Sequence, residues 1–236
     1  MSLVYVIRHG QASFGTANYD ALSPLGFRQA EILGNHCLDL GIHFDAVVSG
    51  TMNRQQQTAR TFLDVYRQAG WQMPEPIVLP AFDEYDAFGI WDNHVAEMLR
   101  TDVSLAEMIQ QAQTDRKAFQ KLFEIVMMEW ASGKRVLPGE PTWPSIIERV
   151  RDGVDTIMRI SAGMKHVAVF TSGGPIGIWM KLALGLSDPK AMEISWQVLN
   201  ASVSRFFIGK RGVFLSGFND VCHLLMQKPP DLITYR

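Results

Sequence analysis

Short apolar runs alternate along this chain with longer stretches whose apolar residues recur at helical spacing. Residues 4–7 form the first run, and it reads as a buried strand. Ser23-Pro24 then opens a helix that ends near Gly41. Serine can cap the free N–H groups there, and proline tolerates the first helical position. Residues 46–49 predict a second strand, and a helix follows over about 52–68, with Ala59, Phe62, Leu63 and Tyr66 on one face. A third strand at 77–79 is bounded by Pro76 and Pro80. From His94 to Trp130 two series recur at helical spacing, Val95, Met98 and Leu99, then Phe119, Leu122, Phe123, Val126 and Trp130. They predict a helical pair inserted before the next core unit. Pro144 opens a helix with Ile146, Ile147, Val150, Val154, Ile157 and Met158 as its apolar stripe. Residues 167–170 predict a strand and 175–184 the helix after it, with Gly185 as the stop. Residues 202–208 and 213–218 form a late β pair joined at Lys210-Arg211-Gly212.

Strands alternating with helices predict an α/β fold with a mostly parallel sheet and helices on both faces. The 236 residues, 47% of them hydrophobic, suffice for one such domain over 1–236 with a helical insert at about 92–137. The net charge of −2 gives no broad field for nucleic acid or an anionic membrane. Apolar runs are too short to span a bilayer. The N-terminus has no basic leader and Arg8 interrupts its apolar run, so a cytoplasmic location is expected. Cys37 and Cys222 form no C-x-x-C pair and read as reduced core residues. The six histidines show no H-E-x-x-H pattern, so no zinc site is expected.

In parallel sheets, ligands bind beyond the carboxyl ends of the strands. Here those ends carry Arg8-His9-Gly10-Gln11, Ser49-Gly50-Thr51-Met52-Asn53-Arg54, Asp83-Glu84 and Thr171-Ser172-Gly173-Gly174. If they adjoin, two arginines, an imidazole, an acid and a glycine turn share one cup. Arginine forks hold phosphate oxygens in pairs. Neutral histidine can attack phosphorus. Gly10 permits close approach of backbone to the ring or to phosphate. The turn at Gly173-Gly174 offers N–H groups to an anion. An acid such as Glu84 can protonate a leaving oxygen. Singly, each feature is more often structural; the ordered combination is what points to phosphate chemistry.

At this point the chain resembles the histidine phosphatase superfamily, of phosphoglycerate-mutase-like type. Arg8-His9-Gly10 resembles its R-H-G motif, and Leu22 to Ala30 its L-[ST]-x-x-G-x-x-Q-A segment. Ser49 to Ala59 matches S-x-x-x-x-R-x-x-x-T-A, and Gly139-Glu140 with Arg149-Val150 resembles the family's G-E…R-V helix. The resemblance spans nearly the whole chain and is weakest over about 90–137. It implies a phosphohistidine at His9, oxygens held by Arg8 and Arg54, and proton transfer by Glu84, with Asp83 as the alternative acid. It implies no metal or organic cofactor and a small phosphorylated substrate. The insert would form a lid over the pocket, with Trp91, Met98, Met127, Met128 and Trp130 either lining it or packing its core.

One position departs. Where the family carries a second histidine, in an S-H-G-G-like turn, this chain has Ser172 before Gly173. His166 lies at the far end of the same strand, roughly 20 Å away at about 3.3 Å per residue. His223 is the other candidate to approach the site. Ser172 and Gly173 remain candidate phosphate ligands. The expected activity is a phosphomonoesterase, slowed by the loss of one donor, with a mutase-like phosphotransferase or a non-catalytic phosphate-binding protein as alternatives. Oligomeric state is left open.

Overall fold

The computed structural model describes residues 1–13, 20–101, 106–112, 114–134, 136–227 and 231–235. Its centre is a six-stranded sheet: β1 (Ser2–Arg8), β2 (Ala46–Ser49), β3 (Ile77–Val78), β4 (His166–Thr171), β5 (Val203–Gly209) and β6 (Gly212–Asp220), in the order β3-β2-β4-β1-β5-β6. The pairs β2–β3, β2–β4 and β1–β4 are parallel, whereas β5 runs antiparallel to both β1 and β6. The expected mostly parallel sheet and the late hairpin are both present.

Side chains alternate across the sheet. Val4, Val6, Val48, Val167 and Val169 face one core, shared with α6 (Trp143–Ile160), α7 (Gly173–Leu184) and α8 (Asp188–Gln197). Tyr5, Ile7, Val47, Ala168 and Phe170 face the other, against α1 (Pro24–Asp39) and α2 (Asn53–Gln68). Both layers are closed, so β1, β2 and β4 can be apolar on both faces. Their polar residues are displaced to the strand ends, where the chain leaves the sheet.

Residues 87–131 correct the expected helical pair: they hold three helices, α3 (Ala87–Thr101), α4 (Ala106–Ala112) and α5 (Arg116–Ala131). The first begins before residue 92. Seven-residue α4 is too short to show a periodic stripe, and residues 102–105, 113 and 135 of the expected insert lie outside the described residues. Met98, Ile109, Ala112, Leu122 and Val126 give this region its own small core. Helix α8 was not expected from the pattern, although Ser187-Asp188-Pro189 is a start signal. A last helical turn, α9, spans Cys222–Leu225.

No helix among the described residues is long and apolar enough to cross a membrane. Cys37 is buried, as expected, and burial pushes its thiol up to about 12. Cys222 is exposed, contrary to the core reading, because it opens the surface turn α9.

Candidate active site

The end of β1 places His9 at 6% exposure. Its Nδ1 lies 2.7 Å from the Gly10 carbonyl oxygen, and its Nε2 lies 3.2 Å from Arg54 Nε. A carbonyl can only accept and a guanidinium N–H can only donate. The tautomer is therefore forced: Nδ1 carries the proton and Nε2 presents its lone pair. Burial, then the charges of Arg8 and Arg54, hold the ring's pKa well below that of an ordinary histidine. His9 is thus a neutral imidazole between two cations.

The arginines are themselves aimed. Arg54 Nη1 pairs with Asp20 Oδ1 at 2.7 Å, and Asp20 also accepts the Asn53 N–H at 2.8 Å. Arg8 Nη1 donates to the Val198 carbonyl. Thr58 ties the two elements: its hydroxyl accepts the Gly10 N–H at 3.0 Å and donates to the Arg54 carbonyl at 2.7 Å. Gly10 matters for a reason other than approach to the ring or phosphate. A Cβ there would stand 2.4 Å from the Gly26 carbonyl oxygen, so the turn after β1 lies directly against the first turn of α1.

Asp83 and Glu84 are separated by their partners. Asp83 takes the Thr51 N–H and hydroxyl, both at 2.5 Å. Glu84 turns to the start of α7, where Oε2 accepts the Gly174 N–H at 3.0 Å and Oε1 its neighbour's, Tyr85, at 3.2 Å. The Gly174 N–H of this turn is thus taken by the protein's own Glu84 side chain. Arg149 fixes this loop by donating from Nη2 to the Asp83 carbonyl at 2.5 Å. A cavity of about 770 Å³ opens over Arg8, Glu84, Gly173 and Gly174 and is bounded on one side by Thr234 and Tyr235.

A family model for the histidine phosphatase superfamily (branch 1) matches residues 4–221. The chain belongs to that superfamily. No curated protein sequence matches it. Solved structures share the fold at low identity. Phosphoserine phosphatase from Entamoeba histolytica, in complex with 3-phosphoglyceric acid, is 20% identical with a TM-score of 0.60, covering 95% of this chain and 100% of its own. Phosphoglycerate mutase from Bacillus anthracis is 19% identical with a TM-score of 0.61, covering 94% of both chains. The α-ribazole phosphatase from Shigella flexneri is 18% identical with a TM-score of 0.56, covering 92% of this chain and 96% of its own.

Within this histidine phosphatase fold, His9, Arg8 and Arg54 come together, and Glu84 and Gly173 share the cavity with Arg8. Ser172 is different. It is fully buried, and its Oγ accepts the Gln55 Nε2–H at 2.8 Å. The same Gln55 amide donates to the Phe82 carbonyl at 3.0 Å. His223 is also buried, but its ring faces His36, with centroids 5.9 Å apart. His166 stays at the opposite end of β4, beside Tyr5.

Trp91, Met98, Met127, Met128 and Trp130 pack within the cores, and none of them lines this cavity. Phe88, Phe119 and Phe123 do. The pattern had shown Phe119 and Phe123 only as a helical stripe, without saying which of its edges faced the site. Asp20, Gln55 and Asn200 were missed altogether. Asn200 Nδ2 and the Ala201 N–H both donate to the His9 carbonyl, at 3.2 Å each. Ala201 does so from the left-handed region, φ 55°, a conformation that costs about 1–2 kcal/mol for a residue with a Cβ. Gln29 joins the loop to the far end of the chain, accepting the Gln11 N–H at 2.8 Å and donating to the Leu232 carbonyl at 2.7 Å. None of these long-range partners has a local sequence signal.

Proposed function

We propose that this protein is a phosphomonoesterase that works through a phosphohistidine at His9. The observation that carries the reading is the forced tautomer of a buried, neutral His9, with its Nε2 lone pair beside the Arg54 guanidinium. Nε2 attacks phosphorus, and the P–O bond to the alcohol breaks with its electron pair on oxygen. Arg8, Arg54 and the Gly173 N–H hold the phosphoryl oxygens, where the charge concentrates. Glu84 acts as the general acid and gives a proton to the leaving alkoxide. Its carboxylate then takes a proton from water as that water attacks the phosphohistidine. The P–N bond breaks, its electron pair returns to Nε2, and inorganic phosphate leaves. The reading requires no metal or organic cofactor.

Ser172 supplies no second imidazole; its Oγ accepts from Gln55, and it does not line the cavity over Arg8 and Glu84. Loss of one preorganised donor lowers turnover by roughly 10²–10³-fold, so this reading is of a slow phosphatase. Hydrolysis is favoured over mutase chemistry by the cations lining the cavity, which among the described residues are Arg8 and Arg116. A mutase must hold the substrate's carboxylate as well as its phosphate.

The test is turnover of an aryl phosphate by the wild-type protein and by His9→Ala, with trapping of the phosphoprotein. Wild type should release phosphate and form an acid-labile, alkali-stable phosphoprotein, and His9→Ala should do neither. Equal turnover by both proteins overturns His9 as nucleophile. Interconversion of 2- and 3-phosphoglycerate faster than phosphate release overturns the hydrolase assignment.

A further inference from the structure

The cavity over Arg8 and Glu84 is walled by rings: Tyr85, Phe88, Phe119, Phe123, Trp196 and Tyr235. Two of them are left open to solvent, Phe88 at 43% and Tyr235 at 62% exposure. Exposed rings gathered in one concave surface mark a site for an apolar ligand.

The wall is built in advance. Helix α5 presents Arg116, Phe119, Gln120, Phe123 and Glu124 to the cavity, at the spacing of one helical face. Phe119 and Phe123 stack with centroids 5.8 Å apart. Trp91 backs both, at 5.0 and 5.7 Å. Phe88 meets Phe123 at 6.3 Å, one turn after Glu84-Tyr85. Because Trp130 lies against Tyr85 and Phe123 against Phe88, α5 runs outward from the floor toward its own N-terminus. Seven residues separate Phe123 from Arg116, about 10 Å at 1.5 Å per residue. The sequence of surfaces is therefore Arg8 and Glu84 at the floor, rings above them, and Arg116 farthest out along α5.

Resting on the phosphomonoesterase reading above, we infer that the substrate is a phosphomonoester whose alcohol carries an aromatic ring system that lies between these walls. A small polar ester with a carboxylate close to its phosphate fits poorly. Its second anion would meet Glu84 and phenylalanine rings, since the next lining cation, Arg116, stands about two helical turns farther out.

The experiment compares 2-(1-naphthyl)ethyl phosphate with ethyl phosphate and phosphoserine. The first two release primary alcohols, so the chemical step is alike and the ring makes the difference. Burying a ring of this size raises kcat/KM about 10- to 100-fold if the enzyme realises it in the transition state. Phe119→Ala should reduce the naphthyl-to-ethyl ratio at least about 3-fold, and Phe119→Leu, which keeps more of the packing, should reduce it less. A wild-type ratio near one, or phosphoserine exceeding the naphthyl ester, overturns the inference and leaves the phosphatase reading intact. Calorimetric Kd values for the two esters on His9→Ala separate the other case. Absence of wild-type turnover, with the naphthyl ester still bound at least about 10-fold more tightly than ethyl phosphate, rejects the phosphatase and supports ring recognition.

Discussion

Gln55 Nε2 donates to Ser172 Oγ across 2.8 Å, joining the first turn of α2 to the residue that precedes α7. Both side chains are fully buried. The bond takes an acceptor lone pair of the serine oxygen, and Ser172 is not among the residues that line the cavity over Arg8 and Glu84. Ser172→Ala should lower unfolding free energy by about 1 kcal/mol, since Gln55 keeps its bond to the Phe82 carbonyl. It should change kcat/KM less than about 3-fold. Chemical denaturation and steady-state kinetics on the one variant check both. A loss of roughly 100-fold in kcat would mean that Ser172 contacts the phosphoryl group.

Glu84 and Asp83 are adjacent but serve different partners, and their variants should behave differently. Glu84→Gln should lower kcat for an alkyl phosphate by about 10²–10⁴-fold, the range for loss of general acid catalysis. The loss should shrink for a nitrophenyl ester, whose leaving group needs no proton. Asp83→Asn weakens the bonds to Thr51 instead, with a stability loss of about 1–2 kcal/mol and little dependence on the leaving group. Rates across a series of esters with graded leaving-group pKa separate the two.

Asp20 acts through Arg54. Its carboxylate is partly exposed, with 37% of the side chain accessible, so the pair is screened and its Coulomb attraction is modest. Its use is to fix the plane of the guanidinium beside His9. Asp20→Asn should raise KM by a few-fold to about 10-fold and change kcat less, while Asp20→Ala should do more. The KM-against-kcat split, measured with inorganic phosphate as competitive inhibitor, is the readout. Equal falls in kcat for both variants would place Asp20 in the chemical step.

His223 is buried against His36, and burial and that neighbour lower its pKa to about 4. An unfolded histidine titrates near 6.5. Below pH 6.5 the unfolded chain therefore binds a proton that the folded chain refuses. Stability falls as pH drops from about 6.5 toward 4, by roughly 3 kcal/mol from this group, and the group contributes nothing to pH dependence above 6.5. His9, also lowered, adds in the same direction. His223→Gln should flatten the curve between pH 6.5 and 4.5. Urea midpoints at pH 7.5 and 5 for both proteins give the comparison.

Gly26 meets the loop after β1 so closely that a Cβ would stand 2.1 Å from the Gln11 carbonyl oxygen. Backbone cannot move aside as a flexible side chain can. Gly26→Ala should destabilise by about 2 kcal/mol or more. It should also reduce phosphate affinity, because the loop it displaces carries His9. Thermal melts with and without phosphate read the two effects; a Tm unchanged within 1 °C, or about ΔΔG below 0.3 kcal/mol, would contradict the close contact.

The chain's own pattern determined the layered sheet, because apolar alternation and strand-end polarity are local properties, as are the capping signals at Ser23-Pro24 and before Pro144. It also placed Arg8, His9 and Arg54 after strand ends, while the fold decided that they meet. Tertiary structure decided what one dimension does not contain. Gln55 and Ser172 lie 117 residues apart, Asp20 and Arg54 34, and Gln29 and Leu232 203, so their bonds have no period or spacing to read. Asp83 and Glu84 are given different partners by Thr51 and Gly174, which arrive from other elements. Phe119 and Phe123 were visible as a stripe on α5, but only the packing of α3 and α5 selected the edge that faces the cavity over Arg8 and Glu84.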